Sequence, residues 1–375
     1  MLDPSPVMRS LLARSLLVAL GLVIGAAFVE GGLRLLGPAP THGLRGLHRA
    51  EPNEPWLYRG RPGAEARVGD TGEVLYRINA EGFRDASRRL ERKDGAYRVG
   101  VVGDSIAFGY GVNVTERFTE RLEAELAHES GRGVEVLNFG VAGFNAYNEA
   151  ALVEGLVSEY ELDLLLVQFC VNDLNDPTLH FDAQTRVALG ELPDAAFPNP
   201  DTRGQVGPRS GPERALDRCR LRLCSLLRRA FPADEARQLE PRELALAMAP
   251  RSDLGDGPER SWLEGHYANM AAVAAAGGAR FGVLVFPYSA QLEALEEKAR
   301  GLGLQRDLAT LAKQRGWLLI DLFASFRDAG PGEALFVDMW HPTARGHAIA
   351  AEAVAAGLRR HGVPERSADA ATGRN

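Results

Sequence analysis

The feature that most constrains this fold is a run of ten residues, Leu162 to Val171 (LDLLLVQFCV), with a single charge near its start. A strand with one wet face alternates apolar and polar residues; this run does not, so it reads as a strand buried on both faces of a parallel sheet. Arg280–Phe286 (RFGVLVF) and Trp317–Phe323 (WLLIDLF) have the same character, while Arg98–Gly103 and Val134–Val141 are shorter apolar strands, the first ending in glycine. Helical spacing fills the gaps. Thr115–Glu129 carries Phe118, Leu122 and Leu126 on one face behind a capping Thr115; Tyr147–Tyr160 and Ala290–Arg315 follow; His341, Pro342 and Thr343 open an Ala-rich helix that runs to about Arg360. Strands alternating with helices predict an α/β domain around a parallel sheet.

That domain is expected over residues 97–362. A stretch from about 174 to 257 breaks the alternation and is too long for a plain connection. It is read as a helical insertion (Glu213–Ala230 and Arg242–Met248), either a lid over the sheet edge or a surface excursion. Residues 363–375 are read as a disordered tail. Residues 37–96 are rich in Gly, Pro and Arg and lack a period, so they read as a juxtamembrane linker and lead-in, with a short strand at Val74–Ile78 and a turn at Asn79–Arg84. Residues 1–36 are expected to be a membrane anchor. Ser15–Val29 holds no charge, Arg9 and Arg14 precede it, and including Leu11–Ala13 with Arg14 snorkelling gives about the 20 residues a transmembrane helix needs. A cleaved signal peptide also fits, but no small-x-small site precedes Glu30. Basic residues on the N-terminal side put the rest of the chain beyond the membrane, in a periplasm if the host is Gram-negative.

Composition excludes some functions. The net charge of −7 argues against a nucleic-acid partner. Three cysteines (Cys170, Cys219, Cys224) make no zinc spacing; Cys219 and Cys224 are either a bridge or two buried thiols.

Three local features carry chemistry. Val101-Val102-Gly103-Asp104-Ser105 places a serine just past the end of the first sheet strand, the edge where open α/β sheets gather reactive groups. It matches no G-x-S-x-G elbow, dinucleotide fingerprint or P-loop. Asp338-Met339-Trp340-His341 sits just before the last helix; three residues apart, the carboxylate can accept from one ring nitrogen and leave the other free to take a serine proton. Gly143 and Asn172 follow the second and third strands on the same edge, where a backbone N–H and a side-chain amide can join the Ser105 N–H as an oxyanion hole.

The ordered set, Gly-Asp-Ser, a Gly after strand two, Asn-Asp after strand three and Asp-x-x-His before the last helix, resembles the SGNH hydrolase (GDSL esterase/lipase) family over about Tyr97 to Arg360, most of the insertion excluded. The four name-giving blocks fall on Ser105, Gly143, Asn172 and His341, with Asp338 as third triad member. The resemblance implies a flavodoxin-like three-layer α/β/α sandwich with a five-stranded parallel sheet. It implies ester hydrolysis or acyl transfer through an acyl-enzyme, acetyl or another short acyl group being expected, with no metal or organic cofactor. One departure is Cys170, where the family has Gly two residues before the Asn; a reactive thiol and a buried one are both open readings. The anchor, the Asn79–Arg84 segment and the insertion look similar to membrane-anchored bacterial members, some of which act on acetylated cell-surface polysaccharide. The alternatives are a polysaccharide O-acyltransferase, a non-catalytic glycan-binding protein on the same fold, and a lipid-active hydrolase.

Overall fold

A computed structural model describes residues 6–35, 47–51, 54–68, 74–86, 92, 95–130, 133–174, 253–293, 302–330 and 334–364. The expected helices at Glu213–Ala230 and Arg242–Met248, Cys219, Cys224 and nearly all of the insertion and tail lie outside them.

The first helix, α1 (Pro6–Leu35), is a unit apart from the α/β domain. Among the described residues no helix is long and apolar enough to cross a membrane, so the expected span is not shown. What is shown is an apolar surface, with Leu17, Val18, Leu20, Val23, Ile24 and Phe28 all exposed.

Within residues 37–96, read as a linker and lead-in with a short strand at Val74–Ile78, the described residues form two strand pairs. β1 (His48–Ala50) pairs antiparallel with β2 (Tyr58–Gly60), and β3 (Glu65–Val68) with β4 (Val74–Arg77). The Asn79–Arg84 turn is built on Asn79, whose side-chain oxygen accepts from the Phe83 N–H at 2.8 Å, with Gly82 at φ +89. Leu47, Tyr58, Tyr76, Ile78 and Phe83 are all buried.

The domain proper runs β5 (Tyr97–Gly103), α2 (Ser105–Phe108), α3 (Phe118–Ser130), β6 (Val134–Asn138), α4 (Ala146–Glu159), β7 (Leu164–Phe169), α5 (Pro258–Ala276), β8 (Arg280–Val285), α6 (Ser289–Glu293), α7 (Gly303–Arg315), β9 (Leu318–Asp321), α8 (Phe323–Ala329) and α9 (Ala344–Arg360). The five strands β5–β9 are all parallel in the order β6-β5-β7-β8-β9. That is the doubly wound 2-1-3-4-5 order, whose switch point lies where chain direction across the sheet reverses, between β5 and β7. Every residue of β5, β6 and β7 is buried, as the unbroken apolar runs demanded. Helix α3 packs on α9 and α4 packs on α5.

Two boundaries differ from the sequence reading. A 3-10 turn at Val114–Glu116, capped by Asn113 through a reciprocal Asn113–Glu116 box, precedes α3, so Thr115 is inside that turn rather than the cap of the helix. The expected helix over Ala290–Arg315 is described as two pieces, α6 and α7, with 294–301 outside the described residues.

Candidate active site

The turn that carries Ser105 follows from the end of β5. Asp104 caps α2 and its carboxylate accepts from the Ile106 N–H at 2.9 Å. Gln168 of β7, fully buried, holds the turn from below: its side-chain oxygen accepts from the N–H of Asp104 (3.3 Å) and of Ala107 (3.0 Å). The contact leaves no room for a side chain at Gly103, where a Cβ would sit 2.7 Å from that oxygen and 2.9 Å from the Ala107 Cβ. Ser105 is thereby held half-buried at the sheet rim.

Asp338 and His341 arrive from a loop closed at its base by the Phe336–Pro342 bridge and by Thr343 N–H donating to the Leu335 carbonyl at 2.8 Å. They share a turn, not a helix: Asp338 Oδ1 accepts from the backbone N–H of Trp340 and of His341, both at 2.8 Å. Asp338 Oδ2 lies 2.7 Å from His341 Nδ1, and His341 Nε2 lies 2.7 Å from Ser105 Oγ. An ionised carboxylate only accepts, so it fixes the proton on Nδ1 and leaves Nε2 as the acceptor facing the serine. Burial pushes the Asp338 carboxyl up, but the bonds from the His341 ring, the His341 charge and the two backbone N–H groups outweigh it, and the net position is below the ordinary value. The ring of Tyr110, which sequence reasoning did not single out, packs on the His341 ring at 4.5 Å.

The third set comes to the same rim. Gly143 adopts φ +86, a left-handed conformation that glycine takes without strain. Its loop lies tight against α2: a Cβ on Gly140 would sit 2.5 Å from the Phe108 nitrogen. Asn138 ties the two together, donating to the Ala107 carbonyl at 2.7 Å and accepting from the Gly140 N–H at 2.9 Å. From the lead-in segment, the Tyr58 hydroxyl donates to the Ala142 carbonyl at 3.1 Å. Asn172 is buried and one of its amide hydrogens goes to the Phe144 carbonyl at 2.9 Å. The same amide also interacts with the Asp104 carboxyl.

Behind Asn172 lies a buried acidic group the sequence did not reveal. Asp104, Glu149 and Asp173 are all buried. Burial first, and mutual repulsion with Asp173 and Asp104 next, hold Glu149 well above the usual carboxylate range; burial likewise raises Asp173 and, less, Asp104. The Tyr267 hydroxyl donates to Asp173 at 2.9 Å. Cys170 sits among them, and burial together with Asp104 pushes its thiol well above its ordinary value. Burial and a raised thiol are the surroundings of a packing cysteine rather than of a reactive thiolate. Among the described residues no group of three His, Cys, Asp or Glu is placed to hold a metal. A cleft beside the site is lined by Ile106, Cys170, Phe286, Tyr288 and Trp340, adjoining Ser105 through Ile106 and His341 through Trp340.

No curated protein matches this chain. Among solved structures, "Crystal Structure of TesA" aligns at 17% identity over 70% of this chain and 98% of its own, with a TM-score of 0.41. A putative lipolytic protein of the G-D-S-L family from Desulfitobacterium hafniense DCB-2 aligns at 14% over 70% and 99%, at 0.38. An acetyl-xylooligosaccharide esterase from Geobacillus, crystallised as a mutant, aligns at 14% over 72% and 97%, at 0.42. Superpositions this loose carry no weight for function. The family described as GDSL-like lipase/acylhydrolase is another matter, since its profile matches residues 101–349, from the strand that delivers Ser105 into the helix that follows His341. The match takes in well over half of the 375 residues, and the chain belongs to that family.

Proposed function

We propose that the protein is a serine esterase that cleaves acyl esters, acetyl or another short acyl group, through an acyl-enzyme on Ser105. The observation that carries this reading is the unbroken relay Ser105–His341–Asp338, with two contacts of 2.7 Å. His341 takes the serine proton as Ser105 Oγ attacks the ester carbonyl; the imidazolium then gives that proton to the leaving alcohol. Asp338 holds the ring and stabilises its charge. The backbone N–H groups of Ser105 and Gly143 and the second amide hydrogen of Asn172 receive the oxyanion, each such donor contributing about 3 kcal/mol. Water as acceptor releases acid; a sugar hydroxyl as acceptor makes the same acyl-enzyme an O-acyltransferase. No cofactor enters either route.

The decisive experiment is Ser105→Ala assayed on p-nitrophenyl acetate, with a fluorophosphonate probe on both proteins. The variant is expected to keep the fold, to lose activity by ~10³-fold or more, and to lose labelling. Wild-type turnover in the variant, or a wild-type protein the probe does not label, sinks the mechanism and leaves a glycan-binding protein on an esterase fold.

We further propose that α1 anchors the enzyme, spanning the bilayer once with Leu11–Ala13 added to the uncharged stretch and Arg14 reaching the interface. The catalytic domain then lies on the extracytoplasmic side, within reach of cell-surface glycan or lipid esters. Its support is the exposed apolar surface of that 30-residue helix.

A further inference from the structure

Arg84 is buried, and its hydrogen bonds all go to main-chain carbonyls rather than to a carboxylate. Nη1 donates to Phe108 (3.0 Å) and Gly109 (2.6 Å), and Nη2 to Val112 (2.7 Å) and Leu75 (3.2 Å). The guanidinium carbon lies 4.3 Å from the Tyr76 ring centre and 5.3 Å from that of Phe108. Two of the four carbonyls, those of Phe108 and Gly109, end α2, the helix that Ser105 begins, and Val112 lies three residues further on. A helix end leaves its last carbonyls without partners and carries a partial negative charge; a buried guanidinium answers both at once.

The contacts around Arg84 form one brace. The Gly111 N–H donates to the Tyr76 hydroxyl at 2.8 Å and the Leu75 N–H to the Asn113 side chain at 3.1 Å. Arg117 donates in turn to the Arg84 carbonyl. Gly109, at φ +80, faces the Arg117 stem so closely that a Cβ there would meet it at 2.4 Å. Between two of the carbonyls that Arg84 grips, those of Gly109 and Val112, lies Tyr110, whose ring rests on His341.

Arg84 therefore touches no reacting atom; its bonds go to Phe108 and Gly109, where α2 ends, and to Gly109 and Val112, which flank Tyr110 in the chain. We infer that Arg84 is a positioning residue for catalysis: it fixes Ser105 through the end of α2 and His341 through Tyr110. The inference rests on the esterase reading above. Charge without a paired carboxylate is costly to bury, and apolar residues would fill the volume at less cost. A rigid fork of five donors, by contrast, locks several carbonyls in one geometry.

The test uses the full chain, p-nitrophenyl acetate kinetics and the rate of fluorophosphonate labelling, each per folded molecule by circular dichroism. A misplacement of about 1 Å between nucleophile and base costs ~100-fold. Arg84→Met is therefore expected to lower kcat by that order while KM stays within about threefold, and to slow labelling in step. Arg84→Lys, which restores the charge and some of the bonds, should recover part of the loss. If Arg84→Met does not fold, Arg84→Lys and Tyr76→Phe carry the test, each expected to lower kcat several-fold at constant KM. Arg77→Ala, whose side chain bonds only the exposed Glu65, should leave both rates unchanged. A folded Arg84 variant with wild-type kcat and labelling rate overturns the inference, however far its melting temperature falls. So does a loss that appears in KM alone. If wild-type protein reacts with the probe and the variants react equally fast, only the positioning role fails. If wild-type protein does not react, the esterase reading fails and this inference with it.

Discussion

Replacing Asp338 with asparagine should damage the enzyme more than removing its side chain. The reason lies in how its two oxygens are used. Oδ1 accepts two backbone N–H bonds and Oδ2 faces His341 Nδ1. In Asp338→Asn the two N–H groups select the amide oxygen, so the NH₂ takes the place of Oδ2 and points a donor at Nδ1. Nδ1 must then give up its proton, Nε2 carries it, and the nitrogen facing Ser105 can no longer accept. Reaching the productive tautomer means flipping the amide against two hydrogen bonds, about 1 kcal/mol each, with unpaired donors adding about 1 kcal/mol more. Loss of the carboxylate charge that stabilises the imidazolium contributes about 1 kcal/mol, a figure kept small because the side chain is 45% exposed and screened by water. The sum, about 3–4 kcal/mol, is a fall in kcat of about 10²–10³. Asp338→Ala loses the charge and the orientation, but solvent can enter the gap and the imidazole is free to take either tautomer. That loss should be about 2 kcal/mol, or about 30-fold. Initial rates of p-nitrophenyl acetate hydrolysis at pH 8 and fixed ionic strength decide it. An asparagine variant as active as the alanine variant, or both within threefold of wild type, would refute the tautomer argument. The wild-type carboxyl sits below its ordinary value, so its ionised contribution is present above the usual carboxylate range and is lost only as pH falls through the lower folded value.

Two further outcomes follow from other parts of the chain. Glu149 is buried, its two oxygens lack hydrogen-bond partners, and its carboxyl is held well above the ordinary value of 4.5, first by burial. A raised carboxyl stabilises the fold below its unfolded value and costs stability as pH climbs towards the folded one. Glu149→Gln, which cannot ionise, should therefore raise the melting temperature at pH 8, with the gain vanishing near pH 4; an equal shift at both pH values would contradict it. For the anchor, full-length protein expressed in a bacterium should stay with membranes through alkaline carbonate and leave only with detergent, whereas a chain starting at Thr41 should be released; full-length protein in the carbonate supernatant would exclude a spanning helix.

The residues of the proposed site could be picked out because they sit where the strand pattern ends. Ser105 follows a glycine-terminated strand, and His341 and Asp338 precede the last helix; an apolar run tells where the rim is, and the rim is where they belong. Beyond the strand at Val74–Ile78 and the Asn79–Arg84 turn, the lead-in segment was unreadable for the opposite reason. Strands of three and four residues, such as β1 and β3, are too short to show a period, so a braced part of the domain reads as a linker. Arg84 could not be told from a solvated arginine by type or spacing. The available signal was the turn before it, Asn79 with Gly82, which halts the chain and aims the next side chains inward. Asn172 was placed on the correct rim, but the acceptors its amide would meet, the Phe144 carbonyl and Asp104, depend on how two loops and a capping residue pack. The buried acidic group is illegible for a similar reason: Asp104, Glu149 and Asp173 come from a strand end, a helix and a 3-10 turn.

The two halves of the candidate site are held in unequal ways, and this bears on where variation is tolerated. Ser105, Gly143 and Asn172 ride on loops tied to one another by Gln168, Asn138 and Phe144, with almost no exposed surface around them. Asp338 and His341 hang on a loop whose residues Val337 and Met339, on either side of Asp338, are 50% and 43% exposed. The Val337 side chain lies 3.2 Å from where a Cβ on Gly111 would be, so even this outer loop leans on the stretch that Arg84 holds. A change in the core around Gln168 moves the nucleophile and the oxyanion donors together and preserves their mutual geometry. A change at the outer loop, or in the Gly109–Val112 stretch beneath it, moves the base relative to the nucleophile. The 2.7 Å contact between them is the least protected dimension of the site, and it spans the seam between the rigid rim and the exposed loop.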